Sequence, residues 1–250
     1  MRNSLSRIIV LTKRNLKEII RDPLSLMFML ALPLVMEVLF YFIFHNLTSQ
    51  FNMKYLAPGI VVFAQTFLTL FTGLLISLDR STSFLTRLYV SKSKSYEFIF
   101  AYILSVIPIA YVQAILFFLV GGIIDSSIFS IRMIWCILLS IVPGLLFIGF
   151  GILFGSLCNE KSIGGISSIV ITSQSVLSGM WFPIEGLGSG FITFMKVLPF
   201  KNATDLLQNV LNGINNPFED FWLPLLVVTG YTVVIVFIGI ILFKNKMKSK

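Results

Sequence analysis

Glu37 is the acidic side chain that lies well inside a long apolar stretch of this sequence, and it is the first candidate for chemistry. A carboxylate inside a bilayer is costly, so such a group faces the interior of a helix bundle and often a functional pathway. Gln65 and Gln174 are further polar groups within apolar stretches. The three side chains are candidates for lining a polar path across a membrane. The alternative for each is a hydrogen bond that joins two helices.

The sequence motifs of nucleotide and metal chemistry are absent. The sequence contains no G-x-x-x-x-G-K-[ST], no H-E-x-x-H and no C-x-x-C. His45 is a single histidine near the end of an apolar stretch, and Cys136 and Cys158 do not resemble a disulfide or zinc pair. We therefore predict no catalytic residue, no metal site and no cofactor bound by this chain.

The segment 84-FLTRLYVSKSKSYEFIF-100 separates two apolar stretches and has a pattern of its own. Phe84, Leu85 and Leu88 recur at helical spacing, and a serine- and lysine-rich run follows. A loop that only joins two membrane helices need be neither this long nor amphipathic. A short amphipathic helix here is suited to docking on a partner. The alternative is a solvated loop whose leucines face lipid.

The elements that must position these groups are membrane helices. Of the 250 residues, 56% are hydrophobic and only 12% are charged, against about 25% charged in soluble domains. A bilayer-spanning helix needs roughly 20 apolar residues. We predict an all-α polytopic membrane protein that forms one domain, with six spans near 24–45, 55–78, 98–124, 133–157, 162–182 and 221–243.

The distribution of basic residues predicts the orientation. With both termini in the cytoplasm, the cytoplasmic segments hold 15 of the 19 Lys and Arg residues, as the positive-inside rule requires. Topology and contact with anionic membrane lipids account for the net charge of +8. We therefore predict an N-in, C-in protein, and we expect no nucleic-acid partner.

Two further segments flank the predicted spans. Residues 3–22 have apolar residues along one helical stripe and basic residues on much of the other face, which predicts an interfacial helix before the first span. It serves either as a simple anchor or as a contact for a partner.

Residues 183–213, between spans five and six, contain apolar patches too short to cross a bilayer. We predict short re-entrant helices there, one within 187–198 and one within 203–212.

This order of elements resembles the membrane (permease) subunit of ABC-2 type exporters, and two local patterns carry the resemblance over essentially the whole chain. The first is 85-LTRLYVSKSKSYEFIFAYIL-104, similar to the family's L-x-R-L-x-x-S-P followed by an acidic residue, although Lys92 stands where proline is common. The second is 178-SGMWFP-183, similar to S-G-x-x-F-P, with a later L-P that includes Pro199.

The resemblance implies roles for both patterns. The segment 80–95 would be a cytoplasmic coupling segment that contacts a separate ATP-binding subunit. Its predicted contact residues are Phe84, Leu85, Arg87, Leu88, Tyr89, Ser91 and Lys92. The predicted outer gate consists of Ser178, Gly179, Phe182, Pro183 and Pro199. Glu37, Gln65 and Gln174 remain candidates for a translocation path because they are polar groups within apolar stretches. ATP and Mg would bind in the partner subunit.

The expectation for function is a permease subunit of an ATP-driven exporter in the plasma membrane. It would work with an ABC ATP-binding subunit and a second permease, identical or similar. The phenylalanine-rich composition favours an amphipathic or hydrophobic cargo such as a peptide, lipid or drug-like molecule. One alternative is an ion-coupled secondary carrier that uses Glu37. Another is a non-transporting membrane sensor or assembly protein.

Overall fold

The described part of the chain is helical throughout. A computed structural model describes residues 4–82, 95–182 and 186–248, with side chains described as far as residue 244. The helices are α1 (Ser4–Ile20), α2 (Pro23–Phe44), α3 (Met53–Ser81), α4 (Ser95–Ile124), α5 (Ile131–Leu139), α6 (Ile141–Leu157), α7 (Glu160–Leu177), α8 (Ser189–Val197), α9 (Pro199–Asn212) and α10 (Leu223–Lys248). Short 3-10 turns form at Ser49–Phe51 and Ser126–Ile128, and a π-helical turn at Pro217–Trp222 precedes α10.

Five helical stretches of the described residues are long and apolar enough to cross a bilayer. They are Pro23–Phe44, Met53–Ser81, Ser95–Ile124, Ile131–Leu157 and Pro217–Lys244. These stretches confirm the all-helical membrane fold. The predicted fifth span corresponds to α7, whose serine, threonine and glutamine residues make it less apolar than the others. The sixth crossing and the N-in, C-in orientation stay predictions.

The junction between α1 and α2 follows from three residues. Asp22 caps the N-terminus of α2 by accepting a hydrogen bond from the Ser25 backbone N–H at 3.1 Å. Pro23 follows in the first turn, where its missing N–H costs nothing. The hydrogen bonds from the side chain and backbone of Ser25 lower the pKa of the Asp22 carboxyl. The cap therefore separates the amphipathic helix α1 from the apolar helix α2.

Helix α3 forms the centre of the bundle and packs most closely against α6. Its apolar segment is almost entirely buried. A Cβ atom on Gly151 would lie 2.5 Å from the Thr72 Cβ, and one on Gly155 would lie 2.8 Å from the Ile76 Cβ. The two glycines therefore let the backbones of α3 and α6 approach, as small residues do in membrane helix pairs.

The fourth predicted span is interrupted at Ser140, where α5 ends and α6 begins. Pro143 follows in the first turn of α6 and cannot donate to the carbonyl four residues before it. Gln65 of α3 donates from Nε2 to the Ser140 carbonyl at 2.9 Å. The break is thus held by an amide from the central helix.

The segment between the last two predicted spans folds into α8 and α9. Pro199 opens α9, and Gly213, with a φ of 115°, ends it. Helix α9 is fixed to the start of α3 by two amides. Gln208 Nε2 donates to the Tyr55 carbonyl at 2.8 Å, and Asn212 Nδ2 donates to the Lys54 carbonyl at 3.1 Å.

Candidate functional site

The amphipathic helix α1 is joined to the end of α3 by a bidentate ion pair. Arg14 Nη1 and Nη2 donate to the two carboxylate oxygens of Asp79 at 2.5 and 2.6 Å. The Tyr102 hydroxyl of α4 donates to the same carboxylate at 2.7 Å. Asp79 and Tyr102 are buried, whereas Arg14 is partly exposed. Three helices therefore meet at one carboxylate.

A second ion pair joins α1 to the start of α4. Arg7 Nη2 lies 2.8 Å from Glu97 Oε1, and the Ser4 hydroxyl donates to the same oxygen. Glu97 is fully buried in the first turn of α4. Helix α1 thus contacts both helices that flank residues 83–94, through Asp79 on one side and Glu97 on the other.

The neighbouring charges shift the pKa values of Arg14 and Glu18. Partial burial opposes ionisation of Arg14, but the hydrogen bond with Asp79 and its charge raise the pKa of the guanidinium overall. Glu18 lies 2.8 Å from Arg14 on the exposed side of α1. Burial raises the pKa of the Glu18 carboxyl, and the Arg14 charge opposes that shift. The Arg14 guanidinium therefore remains a permanent cation between two acids.

The predicted contact residues for an ATP-binding subunit lie outside the described residues. They are Phe84, Leu85, Arg87, Leu88, Tyr89, Ser91 and Lys92. The structure places the two ends of this segment, at Thr82 and Ser95, beside the α1 contacts. Asp79 and Glu97 were not singled out as partners of α1 from sequence. Their partners are 65 and 90 residues away, and no local spacing signals such pairs.

Glu37 is fully buried where α2 meets α3 and α4. A Cβ atom on Gly121 would lie 3.1 Å from Glu37 Oε1 and 3.1 Å from the Ala57 Cβ, so these small residues make room for the carboxyl group. Neither carboxylate oxygen has a hydrogen-bond partner among the described residues. An unpaired carboxylate in such a place is costly, which makes this site chemically unusual within the bundle.

The other predicted path residues join helices, and the structure does not bring them together with Glu37. Gln65 binds the Ser140 carbonyl, as described above, and Gln174 of α7 donates to the Thr204 hydroxyl of α9 at 3.0 Å. Both side chains are fully buried. These contacts favour the helix-joining interpretation for the two glutamines.

Gln113 of α4 joins helices in the same way, at carbonyls that sequence reasoning did not identify. Its Nε2 donates to the Met29 carbonyl at 3.2 Å and to the Ala64 carbonyl at 3.0 Å. Met29 lies four residues before Pro33, so its carbonyl has lost its helical donor. The Lys54 carbonyl, four residues before Pro58, is likewise bound by Asn212. Prolines within apolar helices were the available signal, because each one frees a carbonyl that a neighbour must satisfy.

Helix α7 has one buried face and one exposed face. Ile163, Ser167, Val170 and Gln174 are buried, whereas an exposed stripe contains Ser168, Ile169, Thr172 and Val176. A groove of about 400 Å³ follows this stripe. Hydroxyl groups on the exposed face of a membrane helix are typical of a surface that meets protein or water rather than lipid alone.

The predicted outer gate is described except for Pro183, which lies outside the described residues. Gly179 has a φ of 72° and ends α7, and the Ser178 hydroxyl oxygen accepts a hydrogen bond from the Met180 N–H at 3.2 Å. The Phe182 carbonyl accepts from Gln50 Nε2 at 2.9 Å. Pro199 lies buried at the start of α9. Four of the five residues thus lie at or between the facing ends of α7 and α9.

The described residues contain no group of side chains that is arranged for metal or thiol chemistry. No three His, Cys, Asp or Glu side chains there are grouped as metal ligands would be. Cys136 is buried and donates to the Leu207 carbonyl at 3.4 Å, and Cys158 is a free thiol. His45 stacks on Tyr41 with ring centroids 4.6 Å apart. The contacts of Cys136 and His45 are those of packing side chains.

The fold defines a multi-pass helical membrane protein with an N-terminal amphipathic helix, α1, anchored to two of its apolar helices. Residues 6–212 match the family model of the ABC-2 type transporter. The chain belongs to this family, which confirms the resemblance, and it is a membrane-spanning component of an ABC transporter. It is similar to ABC transporter G family member 20 of Dictyostelium discoideum, at 22% identity over 211 residues. The match covers 83% of this chain and 29% of that relative, so the chain spans less than a third of the relative's length.

Proposed function

We propose that the chain is the permease subunit of an ATP-driven exporter in the plasma membrane, with both termini in the cytoplasm. A separate ABC ATP-binding subunit would dock on residues 80–95 and hold ATP and Mg. The observation that carries this proposal is that two ion pairs join α1 to Asp79 and to Glu97. They couple the two helices that flank the docking segment, so movement of that segment reaches α3 and α4 together.

The second part of the proposal is a paired permease. The exposed stripe of α7, with Ser168 and Thr172, would face a second permease, identical or similar. The path would then run between the two copies toward Ser178 and Gly179. Nucleotide binding would open it only by favouring one of two states of the assembly. The mixed polar and apolar character of the stripe supports an amphipathic or hydrophobic cargo.

The test is purification of the chain from its native membrane in mild detergent, followed by identification of bound proteins. We expect an ABC ATP-binding subunit to be recovered with the native chain and lost with Leu88→Glu. The matched control is Leu47→Glu, which places the same charge at an exposed leucine on the predicted opposite side. Failure to recover an ATP-binding subunit, under conditions that keep a known exporter intact, would overturn the proposal.

A second candidate function is an ion-coupled carrier. The observation that favours it is Glu37, whose two carboxylate oxygens have no partner among the described residues. Such a carrier would transport without ATP and would depend on the Glu37 carboxyl. The ion pairs of α1 favour the exporter, because a stand-alone carrier has no need to brace a docking segment. A non-transporting sensor would retain the partner and show no flux.

A further inference from the structure

Two adjoining pockets lie where the end of α1 and the start of α2 meet α3. The first is a charged cleft of about 460 Å³, which is lined by Arg14, Lys17, Glu18, Arg21 and Asp22. The second is an apolar crevice of about 110 Å³, whose α3 wall consists of Phe71, Leu74, Leu75 and Leu78. Glu18 and Asp22 line both pockets, so the charged cleft and the apolar crevice are continuous.

Two cations of the charged cleft form no ion pair in the described part of the chain. Arg14 binds Asp79 and Glu18. Lys17 and Arg21 are exposed, and no described carboxylate lies within ion-pair distance of either. Residues four apart on a helix are neighbours on its surface. Lys17 and Arg21 therefore present two cationic groups side by side along α1.

The two acids of the charged cleft are engaged by other groups. A Glu18 carboxylate oxygen lies 2.8 Å from the Arg14 guanidinium. The Asp22 carboxylate accepts hydrogen bonds from the Ser25 hydroxyl and from the Ser25 backbone N–H, the latter at 3.1 Å. Lys17 and Arg21 are therefore the charged groups of the cleft that are left for a ligand, and such a ligand has to be anionic.

The apolar crevice follows one stripe of α3. Phe71 and Leu78, at its two ends, are seven residues apart, which is about 10.5 Å of axial rise at 1.5 Å per residue. Leu78 precedes Asp79, at the end of α3 that α1 contacts, and Phe71 lies further along the apolar helix. A hydrocarbon chain in the crevice would thus run away from the charged cleft. A molecule with an anionic head and an apolar chain would fill both pockets.

We propose that the charged cleft and the apolar crevice form a discrete binding site for a membrane phospholipid. Lys17 and Arg21 hold its phosphate, and one acyl chain lies along α3 between Leu78 and Phe71. Basic amphipathic helices at a membrane surface attract lipid phosphates in this way. The bound lipid bridges α1 and α3. The inference concerns a component of the membrane and does not rest on the export function.

The test measures binding to the purified full chain in a neutral maltoside detergent. The probes are phosphatidylglycerol, the diacylglycerol with the same acyl chains, and glycerophosphoglycerol, which is the head group without chains. Phosphatidylglycerol has a phosphate and no ammonium group, so its binding reports on the phosphate. Apparent dissociation constants come from the rise of the thermal unfolding midpoint with probe concentration. We expect phosphatidylglycerol to bind at least about tenfold more tightly than either other probe.

Each of the two comparison probes tests one part of the site. If diacylglycerol binds as tightly as phosphatidylglycerol, the phosphate contributes nothing and the role of Lys17 and Arg21 is wrong. If glycerophosphoglycerol binds as tightly, the ligand is a soluble phosphate compound and the phospholipid proposal is wrong.

Lys17→Gln tests the contact with the phosphate. It should weaken phosphatidylglycerol binding by about fivefold, the contribution of one basic side chain near an anionic lipid, and Arg21→Gln should do the same. The matched control is Lys13→Gln, which removes an exposed lysine one turn earlier on α1, outside the cleft lining. It should change the affinity by less than about twofold. Equal losses in Lys13→Gln and Lys17→Gln would indicate diffuse attraction and overturn the proposal of a discrete site.

Leu74→Ala tests the contact with the acyl chain. It should weaken phosphatidylglycerol binding by roughly fourfold, the effect of about one methylene group that loses its apolar contact, and leave glycerophosphoglycerol binding unchanged. The matched control is Leu70→Ala, which shortens another partly buried leucine of α3, one turn away and outside the crevice lining. Equal phosphatidylglycerol affinities of the two folded variants would contradict the placement of the chain.

Discussion

The guanidinium of Arg14 and the carboxylate of Asp79 form two parallel hydrogen bonds, of 2.5 and 2.6 Å, between the amphipathic helix α1 and α3, the central helix of the bundle. A bidentate pair fixes orientation as well as distance. Helix α1 can therefore neither rotate nor slide along α3 without breaking at least one bond. The Tyr102 hydroxyl binds the same carboxylate and extends this constraint to α4.

Asp79→Asn should uncouple α1 from α3 without unfolding the bundle. The charge-assisted bonds are worth about 1.5–3 kcal/mol, and we expect the lower end because the Arg14 side chain is 33% exposed. Recovery of the ATP-binding subunit should persist, while ATP-driven transport falls by about tenfold. Transport in proteoliposomes with the recovered subunit measures the effect.

Glu18→Gln is the control for this prediction. It removes the exposed acid beside Arg14 and keeps the Asp79 pair, so transport should change little. Native transport rates in Asp79→Asn would show that the ion pair is dispensable for coupling.

Gly155→Ala should destabilise the packing of α6 on α3. The added Cβ would lie 2.8 Å from the Ile76 Cβ and 2.9 Å from the Gly73 carbonyl oxygen, which is backbone and cannot move aside alone. We expect a loss of about 1–3 kcal/mol in the free energy of unfolding. Gly230→Ala in α10 is the control, since no described atom lies within 4 Å of the added group. Equal stability of the two variants would refute the close-packing account.

Gln113→Leu should cost about 1–3 kcal/mol of stability, because it removes the donor for the Met29 carbonyl in an apolar setting. Pro33→Ala restores a backbone N–H at position 33 that can donate to the same carbonyl. In the Pro33→Ala background the cost of Gln113→Leu should therefore be smaller. A double-mutant cycle measured by denaturant unfolding in detergent gives the coupling. If the two effects on stability are additive, the Met29 carbonyl is not a shared partner of Gln113 and the backbone of residue 33.

Glu37→Gln distinguishes the exporter from the ion-coupled carrier. In an ATP-driven exporter the carboxyl is not a coupling site, so transport should stay close to the native rate and stability should be unchanged or higher. In a carrier the same change removes the ion-binding group, and transport without ATP should be abolished. Flux in proteoliposomes with and without ATP, at matched protein content, separates the two.

The helical membrane fold was predictable from sequence because the length of the apolar stretches determines it. Helix α1 was predictable because its two faces differ in composition, while its position at the membrane interface stays a prediction. The break at Ser140 was not, because it depends on Gln65 from another helix. The partners of Asp79 and Glu97 were also missed, because both acids lie beside a segment that was interpreted as a coupling segment for a separate subunit. Long-range pairing between helices leaves no periodic signal in a single sequence.

The polar candidates illustrate the same limit. Gln65 and Gln174 were identified as polar groups within apolar stretches, but only the structure places them against Ser140 and Thr204. The sequence alone does not distinguish a side chain that lines a translocation path from one that joins two helices, because both roles use the same residue types. The apolar crevice likewise combines residues of α1 and α2 with a stripe of α3 that lies far away in the chain.

The ion pairs of α1 have a consequence for the entropy of docking. Arg7 and Arg14 are about two turns apart, roughly 10.5 Å of axial rise at 1.5 Å per residue, and they hold the two flanks of residues 83–94. Any chain segment whose two ends are fixed has already lost the freedom that closing it requires. Under the proposed docking, an ATP-binding subunit that binds residues 80–95 would therefore meet a lower ordering cost than it would on a segment with free ends. Its affinity would then be set partly by a helix that need not touch it at all.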